Sequence, residues 1–112
     1  MQTVTPSAGT VTIDQKRDNI FLVPLAANVT AVQLINGDQK KGQYIEVHFV
    51  QDTTGSRTVT GWPASVKLAG SGITLTTTGG KRDVLALRQV ANASDASGVK
   101  YTEVSRSMNN AG

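Results

Sequence analysis

The chain contains no cysteine. A disulfide framework, a thiolate nucleophile and any Cys-based zinc or iron-sulfur site are therefore excluded, while the redox compartment stays open. No stretch approaches the roughly 18 consecutive apolar residues of a membrane-spanning helix. The residues after Met1, QTVTPSAGT, offer neither the basic n-region nor the apolar h-region of a signal peptide. The expectation is a soluble chain made in the cytoplasm, with no membrane partner. Aromatic residues are scarce: Phe21, Phe49, Tyr44, Tyr101 and Trp62. Only one histidine, His48, is present.

What is there fits one domain. With 112 residues, a chain buries roughly 65% of the surface its unfolded form exposes, enough for a core without staples. Lys plus Arg number 11 against 8 Asp plus Glu, a formal charge of +3. The basic residues stand as pairs beside turns: Lys16-Arg17, Lys40-Lys41 and Lys81-Arg82. A nucleic-acid surface needs a continuous basic stripe with aromatics for stacking, so no nucleic-acid partner is expected.

Apolar residues recur with a period of two, and Gly, Asn, Asp and Ser gather every 8 to 12 residues or so. The pattern predicts an all-β, single-domain antiparallel β-sandwich or jelly roll of about nine short strands. An N-terminal arm, Met1 to Gly9, precedes the β-domain of residues 10–104, and a loose tail follows at Ser105 to Gly112. Within the domain, strands are expected at Thr10–Ile13, at the apolar run Asn19–Leu25 (with ladder pairing ending at Pro24), and at Asn28–Ile35 with Thr30, Val32 and Leu34 toward the core. Gln43–Gln51 is the most regular segment and is placed centrally, with Ile45, Val47 and Phe49 on one face. After a turn at Gly55 a strand should return through Arg57, Val59 and Trp62. Burying the Trp62 indole would add the most apolar area of any residue, if its N–H finds an acceptor. Further strands are expected at Val66–Leu68, Ile73–Thr77, Val84–Val90 and Val99–Val104, with Gly79-Gly80 as a hairpin turn.

No catalytic constellation emerges. A Ser nucleophile would need His48 as base, and no Gly-x-Ser-x-Gly elbow occurs. Glu46 and His48 share a strand face and could in principle work as acid and base, or hold a metal with Asp52. The simpler reading is a pair on the outer sheet face. Asp14, Asp18, Asp38, Asp52, Asp83 and Asp95 stand beside turns, where short acceptor side chains cap the backbone. The sequons Asn28-Val29-Thr30 and Asn92-Ala93-Ser94 would matter only in a secreted eukaryotic protein. The Gly-rich pieces GSG and TTGGKRD are hairpin turns and not phosphate cradles. No catalytic residue, cofactor or metal ligand is assigned.

The succession NVTAVQL, then GQYIEVHFVQDTTGSRTVTGWPASVKLAGSGITLTTTGGKRDVLAL, resembles a module of tailed-bacteriophage virion proteins. In that module an aliphatic strand ending in Gln-Asp leads to Gly-x-Arg-Thr-Val and Trp-Pro. Gly61 departs from the pattern, which runs from Thr-Val straight into Trp-Pro, and implies a bulge or shifted register. The resemblance implies a non-enzymatic virion structural protein, a small capsid decoration or cementing protein docking on the major capsid protein or other virion proteins. A trimer or other cyclic homo-oligomer is expected. The arm Met1 to Gly9 and the tail Ser105 to Gly112 are the candidate docking segments. The alternative is a tail-fibre or appendage module that binds a host receptor or polysaccharide through loops Lys40–Gln43 or Ala91–Gly98.

Overall fold

Thr, Val, Ile and Leu in alternation build strands because each side chain of a pleated backbone faces opposite to the next. The computed structural model describes residues 1–37, 43–70, 72–91 and 98–111, and among them there are eight strands and no helix. They are β1 (Gln2–Thr3), β2 (Thr10–Asp14), β3 (Ile20–Leu25), β4 (Ala31–Ile35), β5 (Tyr44–Gln51), β6 (Val66–Lys67), β7 (Lys81–Gln89) and β8 (Tyr101–Ala111). A six-stranded sheet has the order β1-β3-β5-β7-β8-β6, and a smaller sheet pairs β2 with β4. The all-β class is as expected. The pairing is not wholly antiparallel: β1–β3, β3–β5, β2–β4 and β6–β8 are parallel, and only β5–β7 and β7–β8 are antiparallel.

The parallel pairs follow from how the chain travels. It alternates between the sheets, β1 in the large one, β2 in the small, β3 large, β4 small, β5 large. Parallel neighbours ordinarily need a crossover of a dozen or more residues. For β1–β3, β3–β5 and β2–β4 the crossover is a strand of the other sheet, whereas β6 and β8 are joined through β7 of their own sheet. The progression continues past β5, where Val59 bridges Val29 in parallel. Val29 N donates to Thr58 O at 2.8 Å and Thr60 N to Val29 O at 2.9 Å. The result is a staircase of parallel rungs, closed on the large-sheet side by the antiparallel pair β7 and β8.

One core joins both sheets. Val11, Ile13 and Val32 from the small sheet meet Phe21, Val23, Leu25, Ile45, Val47, Phe49, Leu85, Leu87 and Tyr101 from the large one. Each such side chain contributes about 1.5–3 kcal/mol of gross burial energy. β5 is central, with Ile45, Val47 and Phe49 buried as expected. In β4, Val32 is buried and Leu34 packs against the core, while Gln33 and Ile35 are exposed, again as expected. Val29 breaks the alternation: it is fully buried although it lies three residues before Val32. The reset occurs between them, where Thr30 N and Ala31 N both donate to Gly9 O.

Several expected elements differ. Arg57 to Trp62 does not return alongside β5, whose neighbours are β3 and β7; it crosses to the small sheet instead. Ile73 to Thr77 forms no strand, and Gly79-Gly80 is a turn into β7 and not a hairpin between paired strands. Pairing does not stop at Pro24, which lies opposite Val50. Odd-numbered residues of β3 bond toward β5, as Asp52 N to Leu25 O shows, and Leu22 O faces the N-terminal segment by accepting from Val4 N. Pro24 therefore lacks its N–H on the side away from β5, where no ladder bond is lost.

Neither end of the described chain is free. The arm supplies edge strand β1, and the Met1 amino group lies 3.0 Å from the Asp18 carboxylate. The expected loose tail, Ser105 onward, is most of β8 and pairs with β7 through register shifts. Its polar composition, SRSMNNA, hid this, because backbone pairing and not side-chain burial holds it. Asp83 fixes the far end by accepting Asn109 N at 2.8 Å.

Gly61 has φ +74, and a Cβ there would lie 1.8 Å from Thr30 O. Gly61→Ala should lower stability by at least about 2 kcal/mol, read from the urea midpoint. Gly70→Ala has φ +64 but no atom within 4 Å, so it should cost only about 1–2 kcal/mol. Deleting residues 105–112 should abolish the cooperative urea transition, whereas removing a loose tail would leave it intact.

Candidate functional site

The stretch Gln51 to Pro63 is a corner that carries the chain from one sheet to the other. Gln51, the buried last residue of β5, donates from Nε2 to Arg57 O (2.8 Å) and Thr76 O (3.0 Å). Its Oε1 accepts from Arg57 N at 3.0 Å. Asp52 Oδ1 accepts from Gly55 N at 3.0 Å, and Oδ2 accepts from Arg57 Nη2 at 2.9 Å. The Arg57 guanidinium and the Gly55 N–H hold the Asp52 carboxyl below its ordinary range. Gly55, at φ +75, leaves room for Thr77 O, which a Cβ would meet at 2.3 Å. Beyond the corner, Asn28 Oδ1 accepts from Thr58 N at 3.0 Å, so the first sequon's asparagine has a structural partner.

Trp62 meets Phe49 edge to face, with ring centroids 6.1 Å apart at 87°. Such a pair is worth about 0.5–1.5 kcal/mol beyond area burial. The indole Nε1 is buried and has no acceptor among the described residues, so the expected hydrogen bond is not made. An open cleft of about 620 Å³ lies beside it, lined by residues that include Val59, Trp62, Pro63, Lys67, Leu68 and Ile73. It carries no acid-base pair.

Glu46 and His48 do come together, on the face of β5 opposite Ile45, Val47 and Phe49. His48 Nε2 lies 2.5 Å from Glu46 Oε1, and Tyr44 Oη donates to Glu46 Oε2 at 3.0 Å. The bond to His48 comes first and that from Tyr44 second in holding the Glu46 carboxyl below its usual range. Partial burial, and then Glu46, raise the Tyr44 phenol. The sequence reading missed the third member, Arg82 of β7, whose Nη1 lies 3.1 Å from His48 Nδ1. Its signal was present only in the cross-strand register, which sets Arg82 opposite Val50 and Val84 opposite His48. Asp52 does not join this cluster, and no group of three His, Asp or Glu side chains suited to a metal occurs among the described residues.

The turn carboxylates behave as expected at Asp14 and Asp18. Asp14 accepts from Asn36 Nδ2 (2.8 Å) and Lys16 N (3.1 Å), and these bonds lower its pKa in that order. Asp18, lowered first by the Met1 amino group, accepts from Asn19 N at 2.7 Å. Asp83 differs: it sits within β7, 2% exposed. Its carboxylate accepts from Thr76 N (2.6 Å) and Thr76 Oγ1 (2.8 Å), tying down a segment that has no ladder of its own. Asp38, Asp95, most of loop Lys40–Gln43, most of loop Ala91–Gly98 and the second sequon lie outside the described residues.

No family model, curated protein or solved structure matches the chain. The geometry therefore stands by itself: a tied corner at Gln51 to Pro63 and a polar cluster on an outer face.

Glu103 supplies a measurable consequence. Arg106 Nη2 at 2.6 Å, and then Ala69 N at 2.9 Å, hold its carboxyl low. A carboxyl lowered in the folded state stabilises the fold above its unfolded pKa, and that contribution is lost as pH falls through the folded one. The urea midpoint should fall as pH drops below about 4, and Glu103→Gln should flatten part of that fall while lowering the midpoint at neutral pH.

Proposed function

We propose that this chain is a non-enzymatic structural protein of a bacteriophage virion, a small decoration or cementing protein that docks on the assembled capsid shell. The observation that carries the reading is the outer face of the six-stranded sheet. One face of that sheet builds the core. The other presents Leu22, Val50 and Val84 half-buried, with Tyr44 44% and Val104 56% exposed. Large apolar residues in a shared patch favour contact with another protein over solvent. Both termini are occupied in the sheets, so the docking role moves from the expected arms to this face.

The fold suits such work. We read the two sheets as the layers of a sandwich, with the corner after β5 tied by Gln51 and Asp52 so that it has little ordering left to lose on association. Rigidity matters because a standard contact of roughly 1,600 Å² has a gross burial term of about 40 kcal/mol, most of which is consumed by association and ordering costs. The resemblance of this stretch to tailed-phage modules is in keeping with the same reading. Gln51, Asp52, Gly55, Arg57 and Trp62 each have a role in the corner, so the residues that carry the resemblance are ones the fold uses. A cyclic homo-oligomer, a trimer among the options, is the assembly we propose on the shell.

Particles assembled without this protein separate the two docking partners. Fragile heads with intact adsorption are expected. Stable heads that fail to attach to the host would overturn the proposal in favour of a receptor-binding appendage module.

A further inference from the structure

The cluster on the outer face has a donor-acceptor order that admits only one protonation state. A guanidinium has no acceptor, so the 3.1 Å contact from Arg82 Nη1 requires a bare lone pair on His48 Nδ1. The remaining proton of a neutral imidazole must then sit on Nε2, where Glu46 Oε1 accepts it at 2.5 Å. Every hydrogen-bonding position of the ring is used. Adding a proton at Nδ1 would set N–H against N–H and cation against cation across the Arg82 contact, while the Glu46 contact would become an ion pair.

A second observation shows that the closed arrangement is held at a cost. Arg82 Nε is buried and has no partner among the described residues. Swinging the guanidinium outward would return that N–H to water, so opening relieves an unsatisfied donor while losing the bond to Nδ1. Among the described residues Glu46 is the one carboxylate bonded to the cluster, and that of Asp52 is held by Arg57. On β5 the titratable neighbours are Tyr44 and Glu46; on β7 they are Arg82 and, opposite Tyr44, Arg88. On β3 the residues facing this side are Ile20, Leu22 and Pro24, none of which titrates, and Leu22 lies opposite His48.

We propose that Glu46, His48 and Arg82 form a proton-operated clasp. Neutral His48 holds the Arg82 guanidinium down on the sheet, and protonated His48 keeps Glu46 but releases Arg82 to solvent. Protonation of the ring therefore adds one charge to this face and frees a second. The clasp is a property of the folded chain, whatever docks on that face.

The single histidine makes the test direct. Nitrogen-15 spectra of the full-length chain should show one neutral tautomer at alkaline pH, with the proton on Nε2 and Nδ1 bare. On acidification the slowly exchanging Arg82 side-chain signals should be lost in step with the His48 transition, while Trp62 fluorescence stays constant. In His48→Gln the Arg82 signals should not change over the same range. A proton on Nδ1 in the neutral form would overturn the proposal. So would Arg82 signals indifferent to the charge on His48, or global unfolding in the same step.

Discussion

Each passage between the two sheets takes backbone N–H and C=O groups out of both ladders, and where water is excluded those groups must find other partners. Buried glutamines meet that requirement. Gln51 is the clearest, since its one amide binds both backbone groups of Arg57 and also the carbonyl of Thr76. Gln89 donates to Gly37 O and Ala91 O, which ties a second corner in the same way, while Gln15 donates to the Tyr101 hydroxyl, a bond between side chains. An amide suits this position because it carries donors and an acceptor without a charge to desolvate. Leucine in its place would strand the same backbone groups, at about 1–3 kcal/mol each.

Given tied corners, the chain can climb as a staircase without helices between its parallel strands. Such a stack leaves edges, and the edges here are short or blocked. β1 and β6 have two residues each. Pro24 removes a donor from the outer side of β3. At the small sheet, Ser7 and Thr10 exchange both backbone bonds beside β2, and the segment 58–60 runs along the approach to β4. Strand addition is thereby disfavoured at several places. The broad outer face, with its apolar residues around a polar cluster, is the surface on which the proposed docking role rests.

The cluster also illustrates how a buried polar network is kept on a sheet surface. His48 is only 9% exposed, yet both of its ring nitrogens are bonded, one to a carboxylate and one to a guanidinium. Satisfied groups of this kind are tolerated where unpaired ones are expensive. The exceptions among the described residues are Trp62 Nε1, beside the open cleft, Arg82 Nε, within the cluster on the proposed docking face, and the side-chain oxygens of Gln15, Gln43 and Gln89.

By itself the sequence determined the period of two, the all-β class, the centre of the fold at Gln43–Gln51 and the core faces of β4 and β5. These depend on local alternation, which is written residue by residue. It also marked Gln51, Asp52, Gly55 and Arg57 as one unit, because their contacts span at most six positions. Only the tertiary structure decided which sheet each strand joins. A turn such as that at Asp52–Gly55 has the same residues whether the chain folds back beside β5 or crosses over the core. For the same reason Arg82 could not be matched to His48, nor Asp83 to Thr76 and Asn109, before the register of β5, β7 and β8 was known. The polar end of β8 was illegible because its place is held by backbone bonds to β7, and backbone bonds leave no trace in side-chain pattern.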